Sequence, residues 1–344
     1  MADKFDFIRR LGSGHFGEVW LVHETGLDIR VALKIIPPHK FINVNNIFHE
    51  AQILQLSQHD NVVKVLDTGK INNGSVYISM EYLERGSLED EAKGSYVDLS
   101  RAKRLICDVL RGLSHLHKNA VLHRDIKPAN ILVGKKNEGK LSDFGLAMPT
   151  GINPKKWSTK DYNHVRHLAP EVWNGDDFDE RCDIYAVGMT LYRMVNGDVY
   201  LPSLNPADIG DAITSGKFPD RRHYREFVTI PIKRIINKAI NIDPVKRYQS
   251  ADEMRSVIEQ LKIYLNWNQR KLSNGTEWTG VRKDKYYVLR LLNFNSFYQV
   301  EFLKGPSKDK ARRSIGNCIY KVGKVEATRF ANRVLQDCVL GRIK

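Results

Sequence analysis

Cysteine is scarce in this chain: its 344 residues hold four, Cys107, Cys182, Cys318 and Cys338. They are widely spaced and form no Cys-x-x-Cys pair. That argues against a zinc site or a disulfide framework and fits reduced thiols in a cytosol. Long apolar runs are missing too. No stretch approaches the roughly 20 residues that span a bilayer. The start, Met1-Ala2-Asp3-Lys4-Phe5-Asp6, lacks the apolar core of a secretory signal. The expectation is a cytoplasmic protein with no membrane contact. Internal repeats and low-complexity tracts are absent. Acidic residues run short at one end: residues 266–344 carry 17 Lys+Arg against 6 Asp+Glu, or +11 of the net +14. Such asymmetry gives the tail a separate job.

What is present suits a globular protein. The composition is 42% apolar and 27% charged, and the length fits two domains or one large domain with an appendage. Phe7 to Leu11 and Val19 to His23 read as strands flanking a glycine-rich turn. Ile29 to Ile36 is β-branched and apolar, a central strand that Pro37-Pro38 ends. Asn46 to Leu56 has helical spacing, and Val62 to Leu66 and Val76 to Met80 read as strands. After a hinge at 81–86 the pattern becomes helical: Leu99 to His117, with Ser100 as a capping candidate, Cys182 to Val195, Ile232 to Ala239 and Ala251 to Leu265. A strand-rich lobe thus precedes a helix-rich one, and clefts between such lobes commonly bind ligands.

Four segments carry chemistry. Gly12-Ser13-Gly14-His15-Phe16-Gly17-Glu18-Val19 matches G-x-G-x-x-G-x-V, whose glycines let backbone N–H groups approach phosphates. A dinucleotide-binding turn shares the first six positions but needs a helix next. Here Val19-Trp20-Leu21-Val22 continues as a strand, which favours a strand–turn–strand cradle. Val31-Ala32-Leu33-Lys34 places a lysine in an apolar strand, either snorkelling to water or reaching nucleotide phosphates. Glu50 is the only acidic residue between Val31 and His59, which makes Lys34–Glu50 the natural ion pair. His123-Arg124-Asp125-Ile126-Lys127-Pro128-Ala129-Asn130 sets a carboxylate, an ammonium and an amide on one loop, and Asp143-Phe144-Gly145 follows. Phosphoryl transfer needs a group to take the attacking hydroxyl's proton, cations to spread the phosphate charge, and ligands for those cations.

With Ala169-Pro170-Glu171 added, residues 5–265 resemble a Hanks-type, eukaryotic-like serine/threonine protein kinase, similar to soluble bacterial members. The resemblance implies an α+β, two-lobed protein-kinase fold. A small antiparallel β-sheet lobe with one helix (about 1–80) would precede a larger helical lobe (about 87–265), with a small C-terminal α+β module at 266–344. It implies ATP as phosphate donor, Mg (Mn as alternative) as cofactor and protein as substrate. Asp125 would be the catalytic base and Lys127 a γ-phosphate contact. Lys34 and Glu50 would form the phosphate-holding pair, and Asn130 and Asp143 would be the metal ligands. The nucleotide would sit against Leu11, the Gly12–Gly17 turn, Val19, Ala32, Lys34, Met80 as gatekeeper, Glu81 and Leu83 at the hinge, and Leu132. Lys127 matches the Ser/Thr rather than the Tyr class. Glu171 and Arg247 would pin the activation segment, and Asp183 would support the catalytic loop.

The chain departs from the family before Ala169. The usual threonine is His164 and the usual tyrosine is His167, so substrate recognition is more exposed to change than chemistry is. A hydrogen bond from His164 to Asp125 would make activity depend on pH near neutrality. Thr150, Ser158, Thr159 and Tyr162 are activation-loop acceptors, with Ser158 or Thr159 the expected autophosphorylation sites, since Arg124 can pair with a loop phosphate. A non-catalytic scaffold would be the alternative, but Lys34, Asp125, Asn130 and Asp143 are all intact.

In the tail, Tyr286 to Leu292 and Tyr298 to Leu303 read as a hairpin, and Cys318 to Lys321 as a third strand. Val325 to Leu340 reads as a helix that Gly341 ends. Lys283, Lys285, Arg312, Arg313, Lys321, Arg329 and Arg333 either form a nucleic-acid face or dress a module that docks on the lobes or an acidic partner.

Overall fold

The computed structural model describes residues 4–14, 17–40, 58–143 and 165–343. The expected helix over 46–56, with Glu50, therefore lies outside the described residues. So do His15, Phe16, Phe144, Gly145, Thr150, Ser158, Thr159, Tyr162 and His164. The chain forms two compact units. One comprises 1–96, 103–221 and 235–259, and the other 97–102, 222–234 and 260–344.

The first unit opens with β1 (Phe5–Gly14), β2 (Gly17–Glu24), β3 (Ile29–Ile36), β4 (Val65–Lys70) and β5 (Val76–Glu81). They make one antiparallel sheet in the order β1-β2-β3-β5-β4. Alternation along β3 explains its two faces. Val31 and Leu33 are fully buried and join Phe5 and Val22 in the core, with Trp20, Ile35, Leu66 and Tyr77 packed around them. Ala32 and Lys34 share the other parity. The strand expected at Val62 to Leu66 begins later. Val62 makes only a single bridge to Leu141, and Val63 donates to the Leu141 carbonyl at 2.8 Å. Val62 to Lys64 is thus a connector, and only Val65 and Leu66 of the expected run belong to β4.

The helical part holds α1 (Glu89–Gly94), α2 (Leu99–Lys118), the short pair β6 (Ile131–Val133) and β7 (Gly139–Leu141), α3 (Pro170–Asn174), α4 (Glu180–Asn196), α5 (Ile209–Thr214), α6 (Ile230–Ala239) and α7 (Ala251–Glu259). Helix α4 is buried along almost its whole length, which is why its sequence is apolar with little periodicity. Asp179 caps it, its carboxylate accepting from the Arg181 backbone N–H at 2.7 Å. Ser100 lies inside the first turn of α2 rather than at its cap, and its N–H donates to Asn266 Oδ1 at 3.1 Å. Helix α7 stops at Glu259, six residues short of the expected end.

The second unit contains a six-stranded sheet and one helix. Its strands are β8 (Asn268–Leu272), β9 (Gly275–Arg282), β10 (Lys285–Asn293), β11 (Tyr298–Gly305), β12 (Arg312–Arg313) and β13 (Ile319–Val322), followed by α8 (Lys324–Val339). Trp278, Leu289 and Phe302 stand opposite one another across β9, β10 and β11 and are buried. The buried Trp267 donates its indole N–H to the Leu335 carbonyl at 3.1 Å. Gly341, at φ 74°, ends α8. Its N–H reaches the Cys338 carbonyl and that of Arg342 the Asp337 carbonyl, which satisfies the last helical acceptors.

Candidate active site

A cleft of about 410 Å³ lies between the sheet and the helical part of the first unit. Leu11, Gly12, Val19 and Ala32 line it from the strands, Met80, Glu81 and Leu83 from the hinge, and Leu132 and Asp143 from below. Ser13, Gly14 and Gly17 belong to the β1–β2 hairpin but not to this wall. The hairpin pairs Gly14 with Gly17. Gly17 has φ 135°, and a Cβ there would fall 2.0 Å from the Ile35 carbonyl oxygen, so only glycine fits. Val63, Tyr82, Asp90, Ala129 and Ser142 also line the cleft. Ala129 and Ser142 directly precede Asn130 and Asp143, and that adjacency was the available signal for them.

The Lys34 ammonium is buried and donates to Asp143 Oδ1 at 2.7 Å. The expected partner, Glu50, lies outside the described residues. Asp143 follows directly on the β7 region with φ 54°, a left-handed conformation that Asp tolerates better than most side chains. Ser142 ties this segment to the catalytic loop: its N–H and Oγ both donate to the Asn130 carbonyl, at 2.9 and 3.1 Å.

The loop from His123 to Asn130 is held from within. Asp183, buried on α4, accepts from the backbone N–H groups of His123 and Arg124 at 2.9 and 2.8 Å, and its Oδ2 lies 2.9 Å from His117 Nε2. Burial pushes its carboxyl upward, but these bonds and the two histidines hold it below the usual range. The backbone N–H of Asp125 donates to His123 Nδ1 at 3.3 Å, which leaves Nε2 to donate to the Ser142 carbonyl at 3.1 Å. Full burial lowers the His123 pKa and keeps the ring neutral. Asp125 Oδ2 then accepts from Lys127 Nζ at 2.9 Å and Asn130 Nδ2 at 2.8 Å. Asn130 Nδ2 also reaches the Asp125 carbonyl at 2.8 Å. With the amide nitrogen committed, the Asn130 side-chain oxygen is its remaining hard donor. Lys34 does not itself line the cleft and reaches it only through Asp143. A carboxylate oriented by an ammonium and an amide, beside such a cleft, can position a hydroxyl against an anion.

Two flanking ion pairs fix this frame. Glu81, at the hinge, accepts from Lys140 Nζ at 2.7 Å and from the Lys64 N–H at 3.0 Å. The buried Arg247 forks onto both oxygens of Glu171 at 2.6 and 2.7 Å and donates to the carbonyls of Arg181 and Asn241. The pairing of Glu171 with Arg247 and the support from Asp183 were both expected from the sequence. Glu81–Lys140 was not.

Residues 5–259 match the protein kinase domain family. The serine/threonine-protein kinase PknB of Mycolicibacterium smegmatis is 31% identical over 278 residues, covering 74% of this chain and 42% of that protein. PrkC of Bacillus subtilis, also a serine/threonine-protein kinase, is 28% identical over 265 residues, 75% of this chain and 40% of its own length. PknB of Mycobacterium leprae is 29% identical over 276 residues, with 74% and 42% covered. The chain thus spans about two fifths of the length of these relatives.

Proposed function

The chain belongs to the protein kinase family, and we propose that it transfers the γ-phosphate of ATP to serine and threonine hydroxyls of proteins. The observation that carries this reading is Asp125, oriented by Lys127 and Asn130 at the edge of the cleft. Asp125 would take the hydroxyl's proton, and Lys127 would turn to the γ-phosphate. Lys34 would exchange Asp143 for phosphate oxygens, with Glu50 as the proposed carboxylate that steadies it. The adenine would lie between Val19 and Ala32 above and Leu132 below, bonded to hinge backbone at Glu81 and Leu83.

Asp143 and the Asn130 side-chain oxygen are hard oxygen donors that fit Mg, with Mn as alternative. Such a cation would be held by Asp143 and Asn130 and would offset the charge of the phosphates. Among the described residues no group of three or more His, Cys, Asp or Glu could hold a metal by itself. No helix among the described residues is long and apolar enough to cross a membrane, and all four cysteines are free thiols; both support the proposed cytoplasmic site of action. We divide the chain into a kinase domain over 1–265 and an accessory module over 266–344, whose charge would serve a polyanionic partner.

The test is labelled-phosphate transfer from ATP to a general protein substrate, followed by phosphoamino-acid analysis and mass spectrometry of the enzyme. Phosphoserine and phosphothreonine, with Ser158 or Thr159 modified, are expected. Phosphotyrosine alone would overturn the Ser/Thr assignment, and unmodified Ser158 and Thr159 in active protein would remove autophosphorylation there.

A further inference from the structure

Two groups of cations stand out in the second unit. In the middle of the sheet, Arg270, Glu277, Arg290 and Glu301 stand in cross-strand register on one face. Glu277, almost fully buried, takes Arg270 and Arg290 at 3.0 and 2.8 Å, and Arg313 donates to Glu301 at 2.6 Å. This ladder consumes its own charge. Elsewhere Arg333 stacks on Phe330 at 4.6 Å.

The other group gathers at one end of the sheet. Strands β9 and β10 turn there through Arg282, Lys283, Asp284 and Lys285, with Arg282 opposite Lys285. Beside that turn, Tyr286 faces Gly305 and Lys304 faces Arg312, so the β11–β12 connection, with Lys308 and Lys310, lies at the same end. Residues 282–285 and 304–312 bring seven cations together and only two carboxylates, Asp284 and Asp309. Arg282, Lys283, Lys285, Lys310 and Arg312 form no ion pair among the described residues, in contrast to the ladder. Lys283, Lys285, Lys310 and Arg312 are exposed.

The turn itself is a second, separate observation. Lys283 and Asp284 have φ 47° and 59°, both left-handed. A two-residue turn of this kind prefers Asn-Gly, so a lysine sits there at a conformational cost. The fold thus holds a cation at the tip where a turn-forming residue would be more stable. The two turns at the opposite end, Ser273-Asn274 and 294–297, carry no charge, although Lys321 near that end is also left-handed, at φ 54°.

We propose that this end of the C-terminal sheet binds nucleic acid by its phosphates, without reading bases. Four adjacent strands spread the cations over about 14 Å. That spans about four phosphates of one strand of a duplex at about 3.4 Å per step. The group is mostly lysine, which supplies point charges rather than the rigid forks that select a single carboxylate or phosphopeptide. Tyr287 is buried and Tyr264 lies under Arg282, 4.6 Å away, so Tyr286 is a single partly exposed ring beside the turn, where single-strand binders stack successive bases on several. Duplex therefore fits better than unstacked single strand.

The test is fluorescence anisotropy of labelled scrambled-sequence DNA and RNA duplexes of about 20 base pairs with the full chain, across a salt series. Binding is expected, with a log–log salt slope of about −3 to −4. Lys283→Gln/Lys285→Gln/Arg312→Gln should weaken it at least about tenfold and flatten the slope by about 2 to 3. The charge-keeping Lys283→Arg/Lys285→Arg variant should retain it, as should Lys271→Gln/Lys321→Gln, which alters cations away from this end. An unchanged melting temperature of the triple variant would tie its loss to charge. No binding at about 50 mM salt, equal binding by the triple variant, or loss in the charge-keeping variant would overturn the proposal. Equal competition by polyglutamate, or preferential capture by anionic lipid vesicles, would overturn it in favour of an acidic protein or a membrane.

Discussion

His123 shows how a residue's charge state serves this site. Its ring must stay neutral to accept from the Asp125 N–H at Nδ1 while donating to Ser142 at Nε2. Its folded pKa lies below the ordinary histidine value because burial penalises the imidazolium, partly offset by Asp183, Asp125 and Asp143. The unfolded chain therefore takes up a proton that the folded one refuses. The stability tied to this neutrality is complete above about pH 6.5, the unfolded value, and declines as pH falls below it. His59, stacked on His115 at 4.9 Å and lowered chiefly by burial, adds to the same loss. The melting temperature should thus drop between pH 7.5 and 5.5, and the drop should shrink in His123→Gln. An equal drop in both proteins would refute this use of His123. At this scale the sequence was legible, because chemistry fixes residue type and spacing. Asp125, Lys127, Asn130 and Asp143 had few other readings together. The direct contact of Lys34 with Asp143 was not legible, since it joins residues 109 positions apart across a cleft.

Elements explain which boundaries could be read. Ile29–Ile36 was readable to the residue, because its apolar face is continuous and proline follows it. Asn268–Leu272 was missed because it is a mostly polar, largely exposed edge strand that shows no apolar face. Leu261 and Leu265 continue the helical spacing of Met254 and Ile258 beyond α7, yet the helix ends before them. Helix α8 was legible from its period and from Gly341. Contacts between elements left no local trace, and Glu81–Lys140 is the main example. This little-exposed pair joins β5 at the hinge to β7 beneath the cleft. Removing one partner strands a desolvated charge, so Lys140→Met should cost about 3 kcal/mol of stability and raise the KM for ATP more than it lowers kcat. Lys140→Met/Glu81→Gln should recover part of the stability, because neither side chain is then charged. Thermal melts with nucleotide-dependent kinetics check this. Additive losses in the double variant would show that the two side chains do not act as a pair.

For the whole molecule, one unit carries the cleft and catalytic loop, and the other carries a sheet whose unspent charge collects at one end. Composition showed where the excess charge lies, in the last 79 residues. It could not foretell that 97–102 and 222–234 belong to the same compact unit as the tail, which depends on contacts distant in sequence. In the proposed reaction Asp125 serves the chemistry rather than nucleotide binding: it accepts from Lys127 and Asn130 and is not among the residues lining the cleft. The most direct measurement is phosphate transfer from ATP by Asp125→Asn, with ATP affinity and melting temperature measured on the same protein. Transfer should fall by about 10²–10⁴-fold with ATP affinity within a few-fold of wild type. Transfer at the wild-type rate from a folded, ATP-binding Asp125→Asn protein would contradict the account.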